Sequence, residues 1–292
     1  MDTHLQHRTM EAASGSRARQ AAHTVPVSGG ALMRGYARAT VLACAGLLAA
    51  CAAPGPGGLK IDRSIQAVSQ SSRVSVVVLH YTVADTPRAL EILSKRNVSS
   101  HYLITDETPP RVFQLVDESR RAWHAGESAW YGRSDLNAAS IGIEIVNRGP
   151  ENGGWQPYSD AQIDTLIMLL RDIVTRHQIH ARNVVGHSDI APQRKQDPGP
   201  AFPWKRLAEA GLARWYDETR AMQRIQHYQS SGLPPVRDIQ EKLRRAGYPV
   251  ELSGTLDAAT RKVLAAFQMR YRPARHDGEP DAETLAILDS LP

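Results

Sequence analysis

The chain has 292 residues, 42% of them hydrophobic, and a formal charge of +5. That length exceeds the usual single-domain size and supports a core of useful volume, so two domains are expected. Arg8, Arg17, Arg19, Arg34 and Arg38 against Asp2 and Glu11 supply +3 of the charge before residue 51, which leaves +2 for the rest; an excess that small excludes an electrostatic case for a nucleic-acid partner.

In chain order, residues 1–32 fit no signal peptide, whereas Met33 and Arg34 make a conventional start ahead of Arg38 and the apolar run ATVLACAGLLAAC, Ala39 to Cys51. The run is too short to span a bilayer and has the basic flank and small-residue end of a secretory signal peptide. Its last residues, Leu48-Ala49-Ala50-Cys51, resemble the bacterial lipobox, which implies cleavage before Cys51 and lipidation of that cysteine. A signal peptide with an incidental cysteine is the alternative. Residue 52 is alanine rather than the aspartate that retains enteric-type lipoproteins in the inner membrane, so the expected location is the outer membrane, facing the periplasm. Several acyl chains on one cysteine suffice for stable anchoring. The expected leader is 1–50, with the signal peptide at 33–50 and the lipobox at 48–51, and a Pro/Gly tether follows at 51–60. Cys44 and Cys51 are the two cysteines, both in or at the end of the apolar run, and are poor disulfide candidates.

VSVVVLHYT, Val74 to Thr82, is β-branched and apolar on both alternating faces, the pattern of a buried central strand. RVFQLV (111–116) and SIGIEIV (140–146) read as further strands. SDAQIDTLIMLLRDIVTRHQI opens with a Ser159/Gln162 capping-box pattern and carries apolar residues at helical spacing, which predicts a helix from Asp160 to Arg176. His177 and His180 at its end suit the helix dipole and receive no other role. The short apolar NVVGH then leads into GHSDIAPQRKQDPG, which reads as irregular. Alternating strands and helices predict an α/β fold with a mixed central sheet flanked by helices over 61–229. SSGLPPV marks a linker at 230–235. Beyond it the pattern G-x-x-D-x-x-T occurs at Gly254–Thr260 and again at Gly278–Thr284, each a turn glycine followed by an aspartate placed to cap a helix. With IQEKLRRAGY and RKVLAAFQMRY, these predict a small three-helix domain over 236–292.

His80 ends a strand, His187 follows another, and Asp197 sits in a loop stiffened by Pro192 and Pro198. Such a set can converge on one point as three ligands, leaving a fourth position open for water as in zinc hydrolases, and the prolines limit the entropy lost when the loop folds back. Glu144, between Ile143 and Ile145, is either a solvent-facing strand residue or a carboxylate that accepts a proton from an attacking water. Lys195 is either solvated surface or a cation that stabilises an oxyanion or protonates a leaving group.

LHYT, SSHYLI, AWHAGESAW, LNAASIGIEI and VVGHSDIAPQRKQDPGPAFPW, in that order from about Arg73 to Trp204, resemble the zinc-dependent N-acetylmuramoyl-L-alanine amidases of the type 2 amidase family, which share a fold with peptidoglycan recognition proteins. The resemblance implies that His80, His187 and Asp197 bind one Zn2+, that Glu144 is the base, and that Lys195 assists at the transition state. Trp123 and His124 fall in the segment that lines the substrate cleft. His101 either faces the site or is a hydrogen-bonded core histidine, and Asn137 either contacts substrate or forms a turn. Val236 to Leu288 is similar to the three-helix peptidoglycan-binding domain appended to many cell-wall hydrolases; a helical packing domain is the alternative. The implied reaction is hydrolysis of the amide between the lactyl group of N-acetylmuramic acid and L-alanine, in peptidoglycan or muropeptides. A binding module that does not cut, and a zinc peptidase acting within the stem peptide, are the competing readings. On this view the tail raises effective concentration near the polymer, and its removal from Val236 onward is expected to spare small muropeptides.

Overall fold

Five short strands form the central sheet of the computed structural model, which describes residues 59–292. They are β1 (Val76–Tyr81), β2 (Tyr102–Ile104), β3 (Val112–Gln114), β4 (Ser140–Ile145) and β5 (Val184–Gly186), in the order β3-β2-β4-β1-β5. The pairs β2–β4, β4–β1 and β1–β5 are parallel and the edge pair β2–β3 is antiparallel, so the sheet is mixed, as the sequence predicts. The strand expected over 111–116 is confined to Val112–Gln114. Cys51 and the leader lie outside the described residues, and no helix among the described residues is long and apolar enough to cross a membrane.

β1 is apolar on both faces because both are covered. Val77 and Leu79 join Ile141, Ile143 and Ile145 of β4 under helix α2 (Asp160–His177), which contributes Ile163, Leu166, Leu170 and Ile173. Before α2 in the chain, α1 (Thr86–Lys95), capped by Asp85, sets Ala89 and Leu93 against Leu103 and Val146. The predicted capping box at the start of α2 is formed: Ser159 Oγ accepts from the Gln162 amide at 3.2 Å and Gln162 returns to the Ser159 amide at 3.2 Å. Gln162 Nε2 also donates to the Val146 carbonyl at 2.8 Å, which fixes the helix start beside the end of β4.

The segment after β5 is not wholly irregular. His187–Ile190 form one helical turn, α3, whose Asp189 carboxylate accepts from the Gly186 amide at 2.9 Å. Capping of the backbone by Asp189 outweighs the Pro/Gly composition that suggests a loop. Further on come α4 (Trp204–Glu209), α5 (Glu218–Ser231), α6 (Val236–Arg245), α7 (Ala258–Tyr271) and α8 (Ala282–Leu288). The repeated motif acts as read: Asp257 and Asp281 accept from the amides of Thr260 and Thr284 at 2.7 and 2.8 Å, capping α7 and α8. Ser230 and Ser231 are the last turn of α5, which packs along α8, with Tyr228 donating to Asp289 at 2.5 Å.

The second face of β1 departs from the picture of an appended module. Val76, Val78 and Val185 belong to one apolar cluster that continues through Ala125 and Trp130 to Leu243, Tyr248, Leu264, Phe267 and Leu285. Within it lies a buried ion pair, Arg270 Nη1 to Asp189 Oδ2 at 2.7 Å, with side-chain exposures of 2% and 1%. Tyr248 donates to the other Asp189 oxygen at 2.8 Å, Arg270 Nη2 reaches the Val184 carbonyl at 3.2 Å, and its guanidinium lies 4.0 Å from the Trp204 ring centroid. The C-terminal helices and the sheet therefore share a core, and the expectation that the tail can be removed without cost to small-substrate turnover is revised. Deletion from Val236 onward exposes this cluster; the truncated chain should lose its cooperative thermal transition and its turnover of soluble muropeptides together. Asp189→Ala leaves Arg270 buried without a counter-ion and should cost about 3–5 kcal/mol in denaturant unfolding.

Candidate active site

Strand register puts the reactive groups side by side. His80 is opposite Glu144 in the β1–β4 pair, and Leu79 is opposite Gly186 in the β1–β5 pair, so His187 follows at the level of His80. Three adjacent parallel strands thus deliver two imidazoles and a carboxylate to their C-terminal ends, the edge at which open α/β sheets bind ligands. Asp197 arrives from the loop: its carbonyl accepts from the Ser188 amide at 2.8 Å, and Tyr158 donates to the Pro198 carbonyl at 2.8 Å. A Cβ on residue 186 would lie 2.6 Å from Pro198 Cδ, so the glycine at the end of β5 lets the loop close.

Asp197 Oδ2 is 2.8 Å from His80 Nδ1 and 3.0 Å from His187 Nδ1. The three potential ligand atoms lie within 4.8 Å of one another, and all three residues are buried. The hydrogen-bond network fixes which ring nitrogens face this point. Ser140 spends its proton on the Leu136 carbonyl at 2.5 Å, so its oxygen accepts from His124 Nε2 at 3.2 Å. His124 Nδ1 then accepts from His80 Nε2 at 3.0 Å, leaving a lone pair on His80 Nδ1. His187 Nε2 donates to the Ala125 carbonyl at 3.0 Å, which likewise leaves the lone pair on Nδ1. Two nitrogen lone pairs and a carboxylate oxygen directed at one buried point repel one another unless a cation sits among them. The N2O donor set, with outer hydrogen bonds that orient each imidazole, fits Zn2+.

Protonation states agree with that fit. Burial, then the neighbouring His187, lowers His80 to about 4 against the pull of Asp197, so its imidazole is neutral at ordinary pH. His124 is held well below its ordinary value by burial and by His80. For Asp197, burial favours the protonated acid, but the close approach of the His187 and His80 rings prevails and keeps it below the usual carboxylate range. Glu144 behaves oppositely: burial, followed by the negative Asp197, raises it well above its ordinary value, with Lys195 pulling it back in part. Its Oε2 has no hydrogen-bond partner among the described residues. A buried oxygen of this kind, on a proton-loving carboxylate, suits a general base.

These groups open into a cleft of about 580 Å³. One wall is apolar, with Val83, Ile92, Val98 and the exposed ring of Trp123; another carries Arg194 and Lys195. Trp123 and Lys195 line this cleft, and His124 stands at it while hydrogen-bonded behind His80. Two of the residues left open by the sequence lie away from the cleft. His101 is fully buried, its Nδ1 accepting from the Gly142 amide at 3.0 Å and its Nε2 directed at the Arg120 carbonyl at 3.1 Å, which makes it a core histidine. Asn137 does not line the cleft; its Oδ1 accepts from the amides of His124 and Ala125 at 3.0 and 2.8 Å and so holds that segment in place. Ser140, Gly142 and Tyr158 act on the site without any local signal in the sequence, since each works through a contact with a distant segment.

Comparison with known proteins agrees with this geometry. The profile described as N-acetylmuramoyl-L-alanine amidase matches residues 70–200, and that described as putative peptidoglycan binding domain matches residues 233–288. N-acetylmuramoyl-L-alanine amidase AmiD of Escherichia coli (strain K12) is 43% identical over 268 residues, covering 86% of this chain and 95% of AmiD. The crystal structure of AmpDh3 from Pseudomonas aeruginosa superposes with a TM-score of 0.75 at 40% identity, covering 80% of this chain and 97% of that one. The structure of E. coli AmiD with the substrate anhydro-N-acetylmuramic acid-L-Ala-D-γ-Glu-L-Lys gives a TM-score of 0.71 at 43% identity, covering 80% and 94%. A match that spans nearly all of AmiD, together with a buried His-His-Asp set at the end of the sheet, establishes that the chain belongs to the N-acetylmuramoyl-L-alanine amidase family.

Proposed function

We propose that this amidase hydrolyses the lactyl–L-alanine amide of peptidoglycan fragments with one Zn2+ held by His80, His187 and Asp197, Glu144 as base and Lys195 as oxyanion partner. The observation that carries the assignment is the convergence of two fixed Nδ1 lone pairs and Asp197 Oδ2 beside a carboxylate oxygen with no partner among the described residues. When bound, the ion supplies Lewis acidity, which makes water nucleophilic near neutral pH and polarises the carbonyl. Glu144 takes the proton released as the water oxygen bonds to the lactyl carbon and returns it to the alanine nitrogen as the C–N bond breaks. The Lys195 ammonium faces the negative charge on the former carbonyl oxygen. Trp123 offers an exposed ring face to the sugar or the peptide.

The bound substrate of the AmiD structure is the best guide to what enters this cleft. On that guide the substrate is an anhydromuramyl peptide whose glutamate is joined through its γ-carboxyl, so the α-carboxylate of that residue remains free. The AmiD match and the peptidoglycan-binding profile support a place in the cell envelope. Lipidation at Cys51 and outer-membrane anchoring rest on the lipobox and tether alone.

Incubation of the zinc-loaded enzyme with anhydromuramyl tripeptide should release the intact tripeptide with a free L-alanine amine, detected by mass spectrometry; cleavage inside the peptide would make it a peptidase instead. Glu144→Ala should retain zinc and lose about 10²–10⁴-fold in rate, whereas His187→Ala should lose zinc as well. Ser140→Ala removes the acceptor that orients His124 and, through it, His80. Zinc affinity measured by chelator competition should fall about 10- to 100-fold with the fold intact, and an unchanged affinity would refute the relay.

A further inference from the structure

The C-terminal helix α7 forms part of the catalytic cleft. Lys262, Ala265 and Met269 all line it, and their spacing of three and four residues places them on one helical face. Val263, Leu264 and Phe267 point elsewhere, into the shared core. Lys262 is exposed and Ala265 half-buried, as expected for residues at an open cleft, and the buried Arg270–Asp189 pair anchors the end of the same helix. Contact with the catalytic loop is reciprocal: Lys262 Nζ donates to the Gln193 carbonyl at 3.0 Å, and Gln193 Nε2 donates to the Ala259 carbonyl at 3.0 Å. Gln193 lies two residues before Lys195 and four before Asp197.

Among the described residues the lining of the cleft carries three cations of this kind, Arg194, Lys195 and Lys262, against the two carboxylates Glu144 and Asp197. Arg194 is committed, since its guanidinium donates to the carbonyls of Ala125 and Glu127. Lys195 stands at the reacting end, where its charge acts on His80 and Glu144. Among the described residues Lys262 has the Gln193 carbonyl as its polar partner and no carboxylate. An ammonium donates three hydrogen bonds, so two remain for a ligand, and a flexible four-carbon stem lets it meet a point charge rather than a fixed planar group.

We propose that Lys262, supplied by the C-terminal segment, binds a free carboxylate of the stem peptide in the catalytic cleft and so helps select acidic peptides. The proposal rests on the amidase reading above. Two carboxylates of the tripeptide have the required chemistry, the α-carboxylate of the γ-linked glutamate and the terminal carboxylate.

The test uses the full zinc-loaded chain and anhydromuramyl tripeptide in four forms: unmodified, amidated at the glutamate α-carboxyl, amidated at the C-terminus, and amidated at both. On the unmodified substrate, Lys262→Met should raise KM about tenfold, the scale of one hydrogen bond to a charged group, with kcat within about twofold, and Lys262→Arg should restore much of the difference. Amidating the partner carboxylate should abolish the difference between wild type and Lys262→Met, as in a double-mutant cycle. Loss of the difference with the α-amide assigns the glutamate carboxylate, and loss with the terminal amide assigns the other; either supports the proposal. Wild-type KM for Lys262→Met on all four substrates overturns it. So does a defect that persists undiminished on the doubly amidated peptide, because it would come from the loop contact at Gln193. Failure of the wild-type enzyme to release peptide from any of the four would overturn the amidase reading itself, and this proposal with it.

Discussion

The register of the three central parallel strands is the constraint from which the site follows. With His80 opposite Glu144 and Leu79 opposite Gly186, the odd-numbered residues Val77 and Leu79 fall in the apolar layer under α2, while Val76 and Val78 fall in the cluster on the other side. A slip of one residue would exchange the faces. It would drive His80 into the layer of Ile141, Ile143 and Ile145 and bring a leucine or tyrosine to the point where His80 meets His187 and Asp197. The burial that stabilises the sheet is therefore also what sets the position of the ligands, and a separate energetic device for aligning β1 with its neighbours is not needed.

Strand β4 shows how much of one face can be given to a site. Ser140, Gly142 and Glu144 alternate with Ile141, Ile143 and Ile145, so the two sets point to opposite sides. On the first side Ser140 accepts from His124, and Glu144, paired with His80 across the strands, presents a buried oxygen. Between them, a Cβ on residue 142 would lie 2.5 Å from the His124 ring, so glycine is needed there for close approach. Each residue on that side has a distinct task, whereas the isoleucines on the other supply packing alone. Removing the hydroxyl, filling the glycine or neutralising the carboxylate thus perturbs orientation, space or charge, three different quantities.

What could be read from the sequence was whatever has a local cause. The β-branched run of β1, the Ser159/Gln162 box and the Asp257 and Asp281 caps act within a few residues, and the family motifs mark His80, His187 and Asp197. His101 and His124 show the limit. Both occur in short motifs with aromatic neighbours, yet one has both nitrogens committed to backbone groups and the other is a link between Ser140 and His80. Their partners come from segments far along the chain. Arg270 illustrates the same limit: no neighbour in the sequence signals its burial, whereas Tyr248, Trp204 and Asp189 from distant segments enclose it.

This enclosure changes the meaning of the C-terminal segment. A domain on a flexible linker raises the local concentration of a polymer but leaves its orientation free; a domain that shares a core with the catalytic sheet also fixes direction, and orientation is itself a large part of what a site contributes to rate. Helix α7 carries both kinds of contact, since Arg270 reaches the helical turn that bears His187 and Lys262 stands at the cleft. Eight residues separate them, about 12 Å at the rise of an α-helix, so the rigidity of one backbone segment connects the anchor to the cleft wall. A peptidoglycan strand engaged by the C-terminal helices would therefore meet the catalytic groups in a set orientation.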